Sequence, residues 1–231
     1  MFKTKVLLPV IALIAIVAIG GAIYYFGGKT TEDGQVADNN SDTSAVVARV
    51  DGVAITRAHI DARIAQVKGS GQAQVPAEDA PEYAEFQEAV LTQLINEELF
   101  LKDAARLGIA PEDADVDAQL EQVKEQFESD AAFESQLAAV GLTNATLRAD
   151  IERQLTLTAY YQQVQTDSEI TVSEEDAQAV YDQVAANQEL DVTFEDAKAN
   201  IIAQLTQQKL NEALTQKAAE LRANASVETL L

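Results

Sequence analysis

Three regimes of hydrophobic and polar patterning follow one another along the chain. Val6 to Phe26 is apolar and uncharged, and a run of about twenty residues at about 1.5 Å each crosses a hydrocarbon core as a helix. Gly27 to Ser44 has no apolar period and is rich in Gly, Asn, Asp and Thr, the composition of a flexible tether. From Ala45 onward the pattern becomes that of a folded body. Val46 to Val50 reads as a short β-branched strand, Asp51-Gly52 as a two-residue hairpin turn needing φ > 0, and Val53 to Ile55 as the returning strand. Thr56 then caps a helix carrying Ile60, Ile64 and Val67 at helical spacing. A hairpin this short is not stable alone, so helices from the rest of the chain must cover it.

The remaining pattern is helical. Gly69, Ser70, Gly71 and Pro76 interrupt the first helix. Pro81 opens a long one on Phe86, Val90, Leu94, Ile95, Leu99, Leu101 and Leu107, stopped by Gly108. Leu91 and Phe100 widen its stripe, which marks it as the spine, contacted on more than one side. After Pro111, Val116, Leu120, Val123 and Phe127 mark one face; Phe133, Leu137 and Val140 form a short helix ended by Gly141; Thr143 caps a long helix with Leu147, Ile151, Leu155 and Val164. Tyr160 and Tyr161 lie about 100° apart on that helix, so one of them is expected to be partly exposed. Ser173 with Asp176, and Thr193 with Asp196, repeat a shortened capping device. The second opens a last long helix whose expected buried side is Phe194, Ile201, Ile202, Leu205, Leu210, Leu214 and Leu221. Ala225 to Leu231 reads as a closing strand beside the first hairpin.

The domain organisation that follows is a cytoplasmic stub and transmembrane anchor at 1–28, a linker at 29–44, and a body at 45–231 divided into 45–186 and 193–231. Lys3 and Lys5 precede the apolar run, while Lys29 is outweighed by Glu32, Asp33, Asp38 and Asp42, which puts the N-terminus in the cytoplasm and the body outside. A cleaved signal peptide is the alternative. The run is longer than a usual signal core and ends in the interfacial group Tyr24-Tyr25-Phe26 rather than a small-residue cleavage site.

Composition narrows the function classes. Apolar residues make up 47% of the 231 but aromatic ones only 6%, so packing rests on Ala, Leu, Val and Ile. A formal net charge of −22, from 38 acidic and 16 basic residues, repels a phosphate backbone and argues against nucleic acid as a partner. The absence of cysteine excludes disulfides and thiolate chemistry. His59, the only histidine, reads as a surface or cap residue. Asp113, Asp115 and Asp117 imitate the start of a calcium loop, but Ala118 stands where the loop needs Gly and Lys124 where it needs Glu. No phosphate-cradling glycine loop follows a strand, so neither nucleotide nor other cofactor is expected.

Four stretches in this order resemble the SurA-like and PrsA-like extracytoplasmic foldases, including their membrane-anchored PpiD-like members. VVARVDGVAITRAHIDARI is similar to the family's opening, and LTQLINEELFLKDAARLGI to its most recognisable helix. TVSEEDAQAVYDQ resembles the segment leading into a parvulin isomerase domain, and TFEDAKANIIAQLTQQKLNEALTQKAAEL the helix that returns from it. Between Tyr181 and Phe194 stand about a dozen residues where that domain needs far more, and no histidine pair is available for its roles. The resemblance implies a mainly α chaperone module with a small β-hairpin or short sheet, its long C-terminal helix packing back on the N-terminal part, behind an N-terminal transmembrane helix. The expected function is a membrane-anchored, ATP-free holdase for unfolded or nascent exported polypeptides, without prolyl isomerase activity, contacting lipid through residues 6–26. Candidate client contacts are Phe127, Phe133, Tyr160 and Tyr161, for which core packing is the competing role. An adaptor holding one envelope or translocon partner is the alternative function; a prolyl isomerase is a third.

Overall fold

The computed structural model describes residues 45–71, 74–139, 141–186 and 191–230; the expected membrane span, the linker, Val140 and Leu231 lie outside these. Among the described residues no helix is long and apolar enough to cross a membrane. The element order is β1 (Val46–Val50), β2 (Val53–Thr56), α1 (Arg57–Ser70), α2 (Glu82–Leu107), α3 (Asp113–Lys124), α4 (Asp130–Ala139), α5 (Asn144–Asp167), α6 (Glu174–Ala185), α7 (Phe194–Asn224) and β3 (Val227–Thr229). The fold is mainly helical, with one small antiparallel sheet of order β2-β1-β3.

The hairpin forms for the reason its turn dipeptide gives. Asp51 (φ 46°) and Gly52 (φ 89°) both take positive φ, the conformation that matches a two-residue turn to the twist of its strands. Asp51 does more than turn the chain. Its backbone N–H donates to Ser226 O (2.8 Å), its Oδ1 accepts from Ser226 N (2.7 Å), and its Oδ2 accepts from Lys102 Nζ (3.1 Å). One side chain therefore joins the hairpin tip, the end of α7 and the spine helix α2. The C-terminal strand lies beside β1, pairing Ala48 with Thr229 and Val50 with Val227.

The apolar residues divide into three clusters strung along the helices. The first lies under the sheet, where Val47, Val50, Ile55, Ile60 and Ile64 meet Val90, Leu91, Leu94, Ile95 and Leu99 of α2, with Leu221, Ala225 and Val227 closing it. The second joins α3, α4 and the start of α5 through Val116, Val123, Phe133, Leu137, Leu147 and Ile151. The third gathers Phe100 and Ala104 of α2, Tyr160 and Val164 of α5, and Ala218 of α7. The spine role of α2 follows from its width: opposite sides of one helix feed the first and third clusters. Its last stripe residue, Leu107, is 47% exposed, because the helix stops at Gly108 (φ 71°) before a neighbour can cover it.

Helix α7 departs from the expected pattern. Ala218 is its one buried residue, while Phe194, Ile201, Ile202, Leu205, Leu210, Leu214 and Leu221 are each half-buried. The reason is tertiary. Its C-terminal half meets α2 and α5, whereas α6 is the main neighbour of its N-terminal half among the described residues. Toward the N-terminal end a single main neighbour covers only part of Phe194, Ile201, Ile202 and Leu205, while Leu210, Leu214 and Leu221 lie half-buried at the edge of the clusters they join. Tyr181 and Phe194 meet edge to face at the tip of this α6–α7 arm, and the Tyr181 hydroxyl donates to Val192 O (2.7 Å).

Candidate functional site

Ion pairs cross most helix junctions and absorb much of the scarce positive charge. Arg63 of α1 clamps Glu97 of α2 through two 2.7 Å hydrogen bonds, Arg153 of α5 reaches Glu98 (3.0 Å), and Arg148 holds both Asp113 and Asp117 of α3. Lys198 of α7 pairs with Glu174 of α6. Two of the three aspartates that imitated a calcium loop, Asp113 and Asp117, are thus engaged by an arginine. With bases consumed internally, the outward surface is dominated by carboxylates.

The four aromatic candidates fall into two separate groups. Phe133 is 1% exposed within the second cluster, and Phe127 stands half-buried at its edge, the two rings 5.4 Å apart at 61°. Tyr160 is fully buried in the third cluster, stacked on Phe100 at 5.4 Å, with Tyr161 half-buried and edge-on to the same ring at 5.8 Å. Burial gives Phe133 and Tyr160 core positions with no surface for a client in this conformation, while Phe127 and Tyr161 keep an accessible edge. Burial, with the charge of Glu97 adding to it, pushes the Tyr161 hydroxyl up to about 12, so it stays protonated and uncharged.

The Tyr160 hydroxyl donates to Asp103 Oδ2 at 2.8 Å, and Asp103, 3% exposed, also accepts from Arg106 and lies 3.8 Å from Lys217 Nζ. Burial alone would raise the Asp103 pKa, but the hydrogen bonds from Tyr160 and Arg106 and the nearby cations outweigh it and hold the carboxyl below its usual range. This network ties α2, α5 and α7 at one point. In sequence its signal is a charge on an apolar stripe: Asp103 follows Leu99 and Phe100 at helical spacing, and such a group inside a core needs partners.

Between α3 and α5 lies an open groove of about 630 Å³, lined by Ala110, Pro111 and Glu112 of the connection, by Asp115, Ala118, Gln119 and Gln122, and by Leu155, Thr158, Ala159 and Gln162. Each helix contributes positions i, i+3, i+4 and i+7, one continuous face, so the groove is an open seam between two neighbouring helices. A second, shallow concavity is an amide-rich strip along α7, where Gln207 donates to Asn211 and Gln208 to Glu212.

Comparison with known proteins gives the arrangement its context. The family model described as SurA-like N-terminal domain matches residues 2–161. The chain belongs to this family. SurA-like relatives include a protein named Chaperone SurA from Saccharophagus degradans, 30% identical over 186 residues, covering 80% of this chain and 42% of that protein. A Chaperone SurA from Chromobacterium violaceum is 38% identical over 117 residues, covering 50% of this chain and 27% of that protein. A third, from Methylobacillus flagellatus, is 29% identical over 160 residues, covering 67% of this chain and 34% of that one. The match therefore spans less than half the length of each of these curated relatives. The α3–α5 groove, the Asp103 network and both half-buried aromatic edges fall wholly or largely within the SurA-like region. The groove stripe was not singled out in the sequence because small and amide residues have no periodic hydrophobic signal.

Proposed function

We propose that this protein is an ATP-independent holdase that binds unfolded segments of exported polypeptides outside the cytoplasm, tethered through residues 6–26 and without prolyl isomerase activity of its own. The observation that carries the reading is the SurA-like N-terminal match over residues 2–161, supported by relatives named as chaperones. The architecture is consistent with that work. Three small clusters on long helices leave half-buried apolar edges at Phe127, Tyr161 and along the α6–α7 arm, spread over an acidic surface. Scattered edges of this kind give weak, promiscuous contacts, and the surplus carboxylates keep a loaded chaperone soluble.

The test is light scattering of two unrelated, chemically unfolded proteins diluted into the full chain without nucleotide. Suppression of both at near-stoichiometric ratios is the expected result. Suppression of neither would overturn the reading in favour of an adaptor dedicated to one envelope partner. Catalysed cis–trans exchange of a prolyl peptide by the purified chain would overturn the absence of isomerase activity.

A further inference from the structure

The α3–α5 groove has a chemistry of its own. Its lining combines the small residues Ala110, Pro111, Ala118 and Ala159, the carboxylates Glu112 and Asp115 toward the start of α3, and the amides of Gln119, Gln122 and Gln162. No Lys or Arg lines it. We propose that this groove docks a short extended stretch of an unfolded polypeptide in which a lysine or arginine neighbours a small aliphatic residue, a specificity that rests on the holdase reading above.

Length, hydrogen bonding and charge each point to that occupant. The stretch of helix from Asp115 to Gln122, seven rises of about 1.5 Å, spans about 10 Å, which is the reach of about three residues of extended chain. The side-chain amides offer both donors and acceptors, so they can pair with the unpaired backbone of an extended segment whatever its side chains. Alanines leave room for aliphatic side chains of that segment, and Leu155 supplies a wall for them. Among the described residues Glu112 and Asp115 meet no basic side chain in a hydrogen bond or ion pair, whereas Asp113 and Asp117, on the neighbouring face of the same helix, are held by Arg148. Their charge is thus available to a cation from outside. A second copy of this chain is a poor fit, since each copy carries a formal charge of −22 and would bring carboxylates to carboxylates.

The test uses the full chain and a labelled, serine-rich unstructured peptide with interspersed lysine and leucine, alongside a twin carrying glutamate for each lysine, read by fluorescence anisotropy at low salt. The lysine peptide is expected to bind and the glutamate twin not to. Ala118→Trp, which fills the groove from an exposed position, and the pair Glu112→Gln with Asp115→Asn should each weaken the lysine peptide by about fivefold. Because helix-start changes in α3 can disturb folding, a photo-crosslinking version of the peptide on the unmodified chain gives an independent reading, with adducts expected within 110–122 and 155–162. Equal binding of the two peptides, or adducts confined to other elements, would overturn the groove assignment. Unchanged aggregation suppression by Ala118→Trp alongside such adducts would leave the holdase reading standing with a different surface. Conversely, groove adducts from a chain that suppresses no aggregation would support the groove and sink the holdase.

Discussion

Two side chains carry structural work out of proportion to their size. Asp103 is a buried carboxylate whose partners come from its own helix, from α5 and from α7, and the Tyr160 hydroxyl is the buried one among them. Tyr160→Phe removes a hydrogen bond to a charged group while leaving the ring stacked on Phe100, and should cost about 1.5–3 kcal/mol in urea unfolding. Asp103 titrates lower folded than unfolded, so its contribution is present above the unfolded value near 3.8 and is lost as pH falls through the folded value. An acid titration followed by circular dichroism should therefore show stability falling below about pH 4, with Asp103→Asn weaker at neutral pH but flatter across that window.

His59 takes the capping role its place in the first turn allowed: the Thr56 N–H donates to His59 Nδ1 at 3.0 Å, so that nitrogen must be unprotonated. Desolvation, with the charge of Arg153 adding to it, lowers the His59 pKa against the opposing pull of Glu98 and Asp150. The stability this cap contributes is complete above the unfolded value of 6.5 and is lost as pH falls through the lowered folded value. His59→Gln keeps an acceptor in the capping position and should abolish that step in a thermal-melt series between pH 7 and 5.

At the scale of elements, the sheet is held together by its turn rather than by its strand lengths. β3 is three residues long and pairs with only part of β1. Its attachment depends on Asp51, whose carboxyl is held low first by the Ser226 backbone N–H and then by Lys102. Asp51→Ala removes both side-chain contacts and places a Cβ residue without turn preference at φ 46°. Hydrogen exchange should then accelerate at the amides of Ser226 and Leu230, which donate to Asp51 and Val47, and remain unchanged across α3 and α4. The α6–α7 arm follows a different logic, since its two helices pack mainly on each other and so keep the apolar stripe of α7 half open.

Charge decides behaviour at the scale of the whole molecule. With 38 acidic and 16 basic residues, and bases paired at the helix junctions, long-range repulsion among carboxylates opposes the compact state. Added salt screens that repulsion over about 10 Å while affecting half-buried pairs such as Arg63–Glu97 less. Raising sodium chloride from low to near-physiological concentration should therefore raise the midpoint of thermal unfolding rather than lower it. The same screening should erode discrimination between clients: a basic unfolded protein should be protected better than an acidic one at low salt, and the difference should shrink as salt rises.

The sequence by itself determined the local elements, because their causes are local. Asp51-Gly52 turns, Thr143 and Ser173 cap, Gly108 and Gly141 terminate, and the apolar period of Val90 to Leu99 marks a spine, each within a few residues of the chain. The order of these elements also carried the SurA-like resemblance. Only the tertiary structure decided which stripe residues are buried and which lie open. Phe133 and Phe127 have the same chemistry in sequence, yet α3, α4 and α5 close over one and leave the edge of the other exposed. Tyr160 and Tyr161 are adjacent, and the crossing of α2, α5 and α7 buries the first against Asp103 and leaves the second at the rim. The α3–α5 groove exists because two mixed polar and small faces meet at a distance set by packing elsewhere, and no periodicity within either helix encodes that distance.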